Sequence, residues 1–450
     1  MGTHRQFLKR RQFLKQCCAL AGVGAAAHLT RFGLMTANAQ SNATYKALVC
    51  VFMFGGNDSN NTILPMGSGY TGYSNVRGGL ALPQNTLLPV GANGGTPYGL
   101  HPSLVQIKQL YETQKKAAMI FNVGTLVRPT TKSQYQSGSV ALPRNLYSHS
   151  DQQSQWQTAN PTIAGGTGWG GRVNDVVAPI TPFAAGVSVA GNSALLTGAI
   201  TGGVSISPGS NFGLNSFGGQ AAMDARFQAL QQILTFDSGV QLIGSSQGVL
   251  ANALKSAQEI NRALTSGTPL TTIFPNTGLG QQLAQVAKVI QVRGALGMDR
   301  QIFFASIGGF DNHSNLVQDQ APLLAQLDGA IGAFQAALGE LGVEQNVVTF
   351  TESEFNRTGN SSATNGSDHA WGGHQFVIGG AIKGGDAYGT FPTMALQGPD
   401  DVSNRGIWLP STSLDQYAAT MASWFGVPDS SLSTVFPNLP NFAVQKLGFL

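Results

Sequence analysis

Charge is scarce in this sequence: Asp, Glu, Lys and Arg make up only 10% of its 450 residues, against 42% hydrophobic residues. The hydrophobic share is ordinary, so the low charge and the 58 glycines point to a buried core threaded by many loops, not to disorder. Acids are missing altogether from residues 1–39, which carry Arg5, Lys9, Arg10, Arg11, Lys15 and Arg31. Taking those six from the 25 basic residues leaves 19 against 21 acidic ones, a formal −2. The chain beyond residue 39 therefore has no basic field for nucleic acid or an anionic membrane surface.

Cysteine is almost absent too. Cys17 and Cys18 fall in the N-terminal segment and Cys50 stands alone beyond it, so no internal disulfide can form. Cys50 lies in the apolar run 47–52 and reads as a buried, inert thiol. Long hydrophobic runs are also lacking, and the apolar segment 17–29 is too short and too rich in Gly and Ala to span a membrane. It follows Arg10-Arg11-Gln12-Phe13-Leu14-Lys15, a twin-arginine pattern, and precedes Ala37-Asn38-Ala39, a small-x-small cleavage site. Residues 1–39 are read as a signal for the twin-arginine export machinery, cut after Ala39, with a bacterial periplasmic or secreted destination. No membrane span is expected after cleavage. Walker and paired CxxC patterns are missing as well, which leaves a P-loop nucleotide reading without support.

What remains is a repeated layout. Residues 45–54 form a nearly continuous apolar run ending in Gly55-Gly56-Asn57-Asp58, as expected of a central parallel strand with both faces buried. Residues 302–307 do the same and end in Gly308-Gly309-Phe310-Asp311-Asn312-His313. Leu323, Leu327, Ile331, Phe334, Leu338 and Leu341 then draw one apolar helical stripe, and 347–350 reads as the next strand. Strand–helix–strand with short links predicts a right-handed parallel crossover, which puts Asp311, His313, Glu352 and Glu354 on one sheet edge. Ligands of open α/β sheets gather at such edges, and Asp58 falls at the same kind of position. Residues 40–450 are expected to form one α/β domain. Within it, 176–298 holds no His and few acids, and its helical patterns at 221–234, 241–264 and 281–295 predict an insertion or cap.

Five histidines lie beyond residue 39, namely His101, His149, His313, His369 and His374, each in a Gly- or Ser-flanked loop at an element end. That distribution predicts a shared site. Asp311, His313, Glu352, Asp368, His369 and His374, joined by Asp58, could furnish one or two divalent-metal sites. The mixed nitrogen and oxygen set does not choose among zinc, manganese, magnesium and calcium. Glu354 reads either as a supporting partner or as a salt bridge to Arg357, and His101 could equally orient its own loop. A hydrolase of anionic esters also needs a nucleophile near a helix N-terminus. Ser148 and Ser150 offer one, with His149 and Asp151 interleaved, and Thr62 is a weaker rival. Against this, Ser150 or Asp151 also suits a plain helix cap.

The twin-arginine leader together with LVCVFMFGGNDSNNTILP, GLHPSL, NVGTLVRPTT, YSHSDQQSQWQT, SVAGNS, GGFDNHSN, TESEFNRTGN, DHAWGGHQFVIGGAIKGG and DQYAATMASWFGV resembles the exported bacterial proteins of domain of unknown function 1501. The resemblance runs through the chain beyond the leader. That family is related to the alkaline phosphatase/sulfatase-like superfamily. The relation implies a doubly wound, mostly parallel α/β sheet with a divalent metal at its C-terminal edge. On this resemblance Asp58 corresponds to the first-strand metal acid, Asp311 and His313 to an Asp/His pair on a later strand, and Glu352 to a strand-end position. Asp368, His369 and His374 correspond to the final His-bearing loop. The sulfatase Cys motif has no match, and Ser148 or Ser150 is placed only by analogy. Two functions follow: an exported metal-dependent hydrolase of phosphate or sulfate esters, or a non-catalytic exported binding or assembly protein with a structural metal.

Overall fold

The computed structural model describes residues 45–92, 94–177, 185–209, 221–237 and 267–450, with some positions between 239 and 264. The leader and its cleavage site lie outside the described residues, as does most of the helix expected over 241–264. The described strands in chain order are β1 (Lys46–Met53), β2 (Ile63–Pro65), β3 (Leu88–Ala92), β4 (Thr96–Leu100), β5 (Ala117–Gly124) and β6 (Gly186–Ser188). They continue as β7 (Gly203–Ser205), β8 (Arg300–Ile307), β9 (Val347–Glu352), β10 (Gly373–Ile378), β11 (Ala387–Tyr388) and β12 (Thr412–Ser413). Nine of these form one mixed, mostly parallel sheet in the order β11-β5-β10-β9-β1-β8-β6-β7, with β12 also paired to β5. β2, β4 and β3 make a small antiparallel sheet.

The long apolar run becomes the central strand because both its faces can be buried. Ala47, Val49, Val51 and Met53 enter one hydrophobic layer, and Leu48, Cys50 and Phe52 the other. β1 pairs in parallel with β8 on one side and β9 on the other. The predicted crossover is present: β8 leads through the helix Leu316–Glu340 to β9, passing over β1. Its stripe is buried as expected, with Leu327, Ile331, Phe334 and Leu338 at 0% exposure. β10 runs antiparallel to β9 and β5, so the start of β10 shares an edge with the ends of β1, β5, β8 and β9. Four loops therefore open on one edge: 54–62, 125–148, 308–315 and 353–372.

The 176–298 stretch does more than cap. β6 and β7 extend the main sheet. The helix Gly278–Gln291 lies in the core, with Leu279, Leu283, Val286, Val289 and Ile290 buried. Its apolar residues recur at helical spacing, so the helix packs on the sheet beside the crossover helix. The helix Ala221–Thr235, by contrast, has no buried residue. The proline-broken C-terminus is also part of the core, since Phe436 and Phe449 are fully buried in the layer containing Phe52. No helix among the described residues is long and apolar enough to cross a membrane. Residues 45–450 form one compact unit.

Two local devices hold the edge in place. Gly55 has φ +115°, and a Cβ there would meet the Asp311 backbone nitrogen at 2.4 Å, so only glycine lets the β1 and β8 exits touch. Farther from the edge, the helix Val105–Glu112 has no side-chain cap of its own. Asp328, on the crossover helix, supplies one from outside: its carboxylate accepts the Gln106 and Ile107 N–H groups at 3.0 and 2.8 Å. Asp328→Ala is expected to lower unfolding free energy by about 1–3 kcal/mol, because one buried and one part-buried donor lose their acceptor. Urea unfolding measures it, and an unchanged midpoint would show that the cap is idle.

Candidate functional site

Three imidazoles meet at the edge. His149 comes from the first turn of the helix His149–Thr158, His313 from the loop after β8, and His369 from the loop before β10. Their Nε2 atoms lie 3.4, 3.0 and 3.3 Å from one oxygen, Asp311 Oδ1. The Nε2 atoms of His313 and His369 are 3.0 Å apart. One ligand atom each from His149, Asp311 and His369 falls within a 4.8 Å set suited to a metal ion.

The other ring nitrogens decide the tautomers. His149 Nδ1 faces Glu354 Oε1 at 2.9 Å, His369 Nδ1 faces the Tyr147 carbonyl at 2.7 Å, and His313 Nδ1 faces Asp368 Oδ1 at 3.3 Å. Each partner only accepts, so each Nδ1 carries the proton and donates it. In a neutral ring that leaves Nε2 as a bare lone pair. Three lone pairs then point at a carboxylate oxygen shared with Arg357, an arrangement that a further cation among them would stabilise. His149 Nε2 is moreover buried without a hydrogen-bond partner. Histidines ligating metals are held in this way, with the remote nitrogen on a carboxylate or carbonyl.

The supports are unusually fixed. Glu354 is fully buried, and its Oε1 also accepts the Gly55 N–H and Gln153 Nε2 at 2.8 and 2.9 Å. Tyr147 sits at φ +74°, a left-handed backbone that bulky residues avoid, and this conformation presents its carbonyl to His369. Phe355 stacks on His369, with centroids 4.5 Å apart, and also contacts His149. Arg357, fully buried, donates from Nη2 to Asp311 Oδ1 and the Gly55 carbonyl, from Nε to the Gly56 carbonyl at 2.9 Å, and from Nη1 to the Ser367 carbonyl at 3.0 Å.

Charges in the centre follow from these contacts. Partial burial raises Asp311, but the Arg357 hydrogen bond and charge, with His149 and His313, outweigh it and hold the carboxyl at about 2. The Glu354 hydrogen bond raises His149 despite its burial, whereas burial lowers His369. Asp311 is thus an anion ready for a cation, with Arg357 already sharing it.

Several expected ligands are elsewhere. Asp58 is 1% exposed and ion-paired with the buried Arg77, and it also caps the turn Ser59–Thr62 by accepting the Asn60 N–H. Glu352 ends β9, but strand alternation sends its side chain to the layer of Val348 and Phe350, where Cys50 Sγ lies 3.6 Å away. The acid that reaches the edge is Glu354, two residues on. His374 is the second residue of β10, not part of the loop, so alternation buries it with Phe376 and Ile378. Its Nδ1 accepts the Asn122 N–H, Phe391 stacks on it, and burial lowers it to about 3. Asp368 does not face Asp311. It holds His313 Nδ1 and pairs with Arg405 at 2.6 Å. His101 likewise accepts the Ser103 N–H and orients its own turn.

The hydroxyls do not face the cluster either. Ser148 is the helix N-cap, and its Oγ donates to Asp151 Oδ2 at 2.8 Å. Ser150 Oγ contacts Ser148 Oγ at 3.3 Å, and Asp151 pairs with Arg144 at 3.6 Å. Arg77 and the Tyr147 carbonyl escaped sequence reasoning, and Arg357, read there as a salt-bridge partner of Glu354, pairs instead with Asp311 while Glu354 supports His149.

Burial raises the Glu352 carboxyl from its usual 4.5 to about 8, with Cys50 and Trp169 offsetting only part of the effect. Between those values the folded chain keeps a proton that the unfolded chain has released. Stability should therefore fall as pH rises through the window, by up to ~1.4 kcal/mol per pH unit. Glu352→Gln is expected to flatten that decline and to melt above wild type near pH 8. Thermal melts of both proteins across about pH 5 to 8 check it. Parallel curves would rule out a protonated Glu352.

Comparison with known proteins adds context. Three similar solved structures are a sulfatase from Pseudoalteromonas sp., a phosphonate monoester hydrolase from Silicibacter pomeroyi and a lipoteichoic acid synthase from Listeria monocytogenes. The sulfatase is 9% identical with TM-score 0.35, covering 86% of this chain and 68% of its own. The phosphonate hydrolase is 8% identical with TM-score 0.33, covering 86% and 74%. The synthase is 6% identical with TM-score 0.31, covering 83% and 75%. No curated protein matches by sequence. The family model described as a protein of unknown function, DUF1501, matches residues 45–407, and the chain belongs to that family.

Proposed function

We propose that this protein is an exported, metal-dependent hydrolase-like protein acting on phosphate or sulfate esters. The observation that carries the reading is the convergence of three imidazole Nε2 atoms on Asp311 Oδ1. His149, Asp311 and His369 would hold the ion, with His313 beside them. A bound divalent ion would supply Lewis acidity toward an ester oxygen and a water of lowered pKa. The chain's own groups do the rest. Glu354, the Tyr147 carbonyl and Asp368 keep a proton on each Nδ1, so that each Nε2 stays free. Arg357 keeps Asp311 ionised and fixed. Asp311, 49% exposed, leaves the centre open to a solvent-borne anion.

The nucleophile this geometry favours is water. Ser148 donates its proton to Asp151 and caps a helix, so it is already engaged. That same observation favours the second reading, a binding or assembly protein in which the metal is a structural staple.

Metal content and turnover separate the two. His149→Ala and His369→Ala are each expected to lower metal affinity 10-fold or more by removing a ligand, and to abolish metal-stimulated turnover of phosphate and sulfate monoesters. Ser148→Ala is expected to cost only about 1 kcal/mol as a lost cap, leaving turnover intact. A metal-loaded wild type that turns over neither ester class removes the hydrolase reading. If metal removal in that protein lowers Tm alone, the staple reading stands.

The Arg10-Arg11 pattern supports twin-arginine export to the periplasm or beyond. Arg10→Lys with Arg11→Lys is expected to hold the protein in the cytoplasm, as read by cell fractionation; normal export of that variant counts against this route.

A further inference from the structure

The acids along this edge are almost all engaged. Asp58 is paired with Arg77, both at 1% exposure or less. Glu354 is taken by His149, Gly55 and Gln153, and Asp368 by His313 and Arg405. Glu352 faces the opposite layer. Among the described residues, Asp311 is the acid presented to all three imidazoles.

A permanent cation already stands beside it. The Arg357 guanidinium is held by three backbone carbonyls, those of Gly55, Gly56 and Ser367, independently of Asp311. At 0% exposure it has no room to swing away. Its Nη1 lies 3.5 Å from His313 Nε2, and its Nη2 contacts Asp311 Oδ1. The guanidinium stands among the ligand atoms, where it shares the acid and repels a further cation.

We propose that the centre takes a single divalent ion and that Arg357 is its fixed second cation. The proposal rests on the metal reading above and specifies its stoichiometry. Asp311 would share its charge between the ion and the guanidinium, one of which is covalently part of the chain. Chelation can therefore remove only one of the two cations. Arginine suits the position because its planar fork matches several carbonyls at once and keeps its charge when buried.

The test uses the chain from residue 40 onward, stripped with chelator, reloaded with Zn²⁺ alone or Mn²⁺ alone, and freed of excess by gel filtration. Metal is counted by mass spectrometry and located by anomalous diffraction. One ion per chain among His149, Asp311 and His369 is expected. Two ions overturn the proposal and leave the metal reading standing, whereas no ion with either metal removes both. Arg357→Lys and Arg357→Met then separate charge from packing, because both lose the fork's carbonyl contacts. Zn²⁺ is expected to bind Arg357→Met at least ~10-fold more tightly than Arg357→Lys, since only the lysine keeps a repelling charge. Equal or reversed affinities overturn the role given to the guanidinium. Should the variants not fold, the ion count on the unsubstituted chain decides alone.

Discussion

A buried guanidinium holds this sheet edge together. Burying a charge is costly unless it is paired and fully hydrogen-bonded, and Arg357 meets both conditions through one carboxylate and three carbonyls. Its partners belong to three separate chain segments: the β1 exit, the β8 exit and the loop from β9 to β10. The Gly55 turn is gripped from two sides, its carbonyl by Arg357 and its N–H by Glu354. A side chain at Gly55 would part these segments, and the imidazoles they carry would no longer meet.

Behind this edge lies a second polar assembly. Residues 57–62 are at most 2% exposed, yet all are polar. Asn60 accepts the Trp408 indole N–H, Asn61 accepts Tyr73 Oη–H and Arg77 Nε–H, and Gln320 donates to Asn57. Burial of so many polar groups is tolerated because most of them satisfy one another, Ser59 Oγ and Gln320 Oε1 being the exceptions, and a network of this kind admits few alternative packings. Asp58 belongs to this network. Its arginine partner, 19 residues away, turns an acid with a ligand's position into a structural one.

The large features were legible because they depend on simple periods. Both-face burial of 45–54, the stripe from Leu323 to Leu341 and the strand–glycine–acid repeat each have one geometric solution, and the structure adopts it. Clustering of histidines at element ends also pointed to the edge where three of the five meet. Individual ligands failed where the outcome turned on one residue of register. β10 starts at Gly373, and that alone makes His374 a core residue. β9 ends at Glu352, and Glu354, of the same parity but past the end of the strand, is the acid of the edge. The partners of Asp58, Asp368 and Ser148 were not legible, because no local pattern tells that a carboxylate or hydroxyl is already engaged by a neighbour.

The Tyr147 carbonyl has a consequence for the whole loop from 125 to 148. It is aimed at His369 by a backbone conformation that a bulky residue does not adopt unaided, so the hydrogen bond and the conformation stand or fall together. The loop is thereby coupled to whatever occupies the imidazoles. Beyond residue 39 the chain has a single cysteine, so it cannot stitch its loops with disulfides. With an ion bound, the convergent imidazoles would offer another kind of stitch, one that joins distant segments through coordination and comes undone with acid or chelator without breaking a covalent bond.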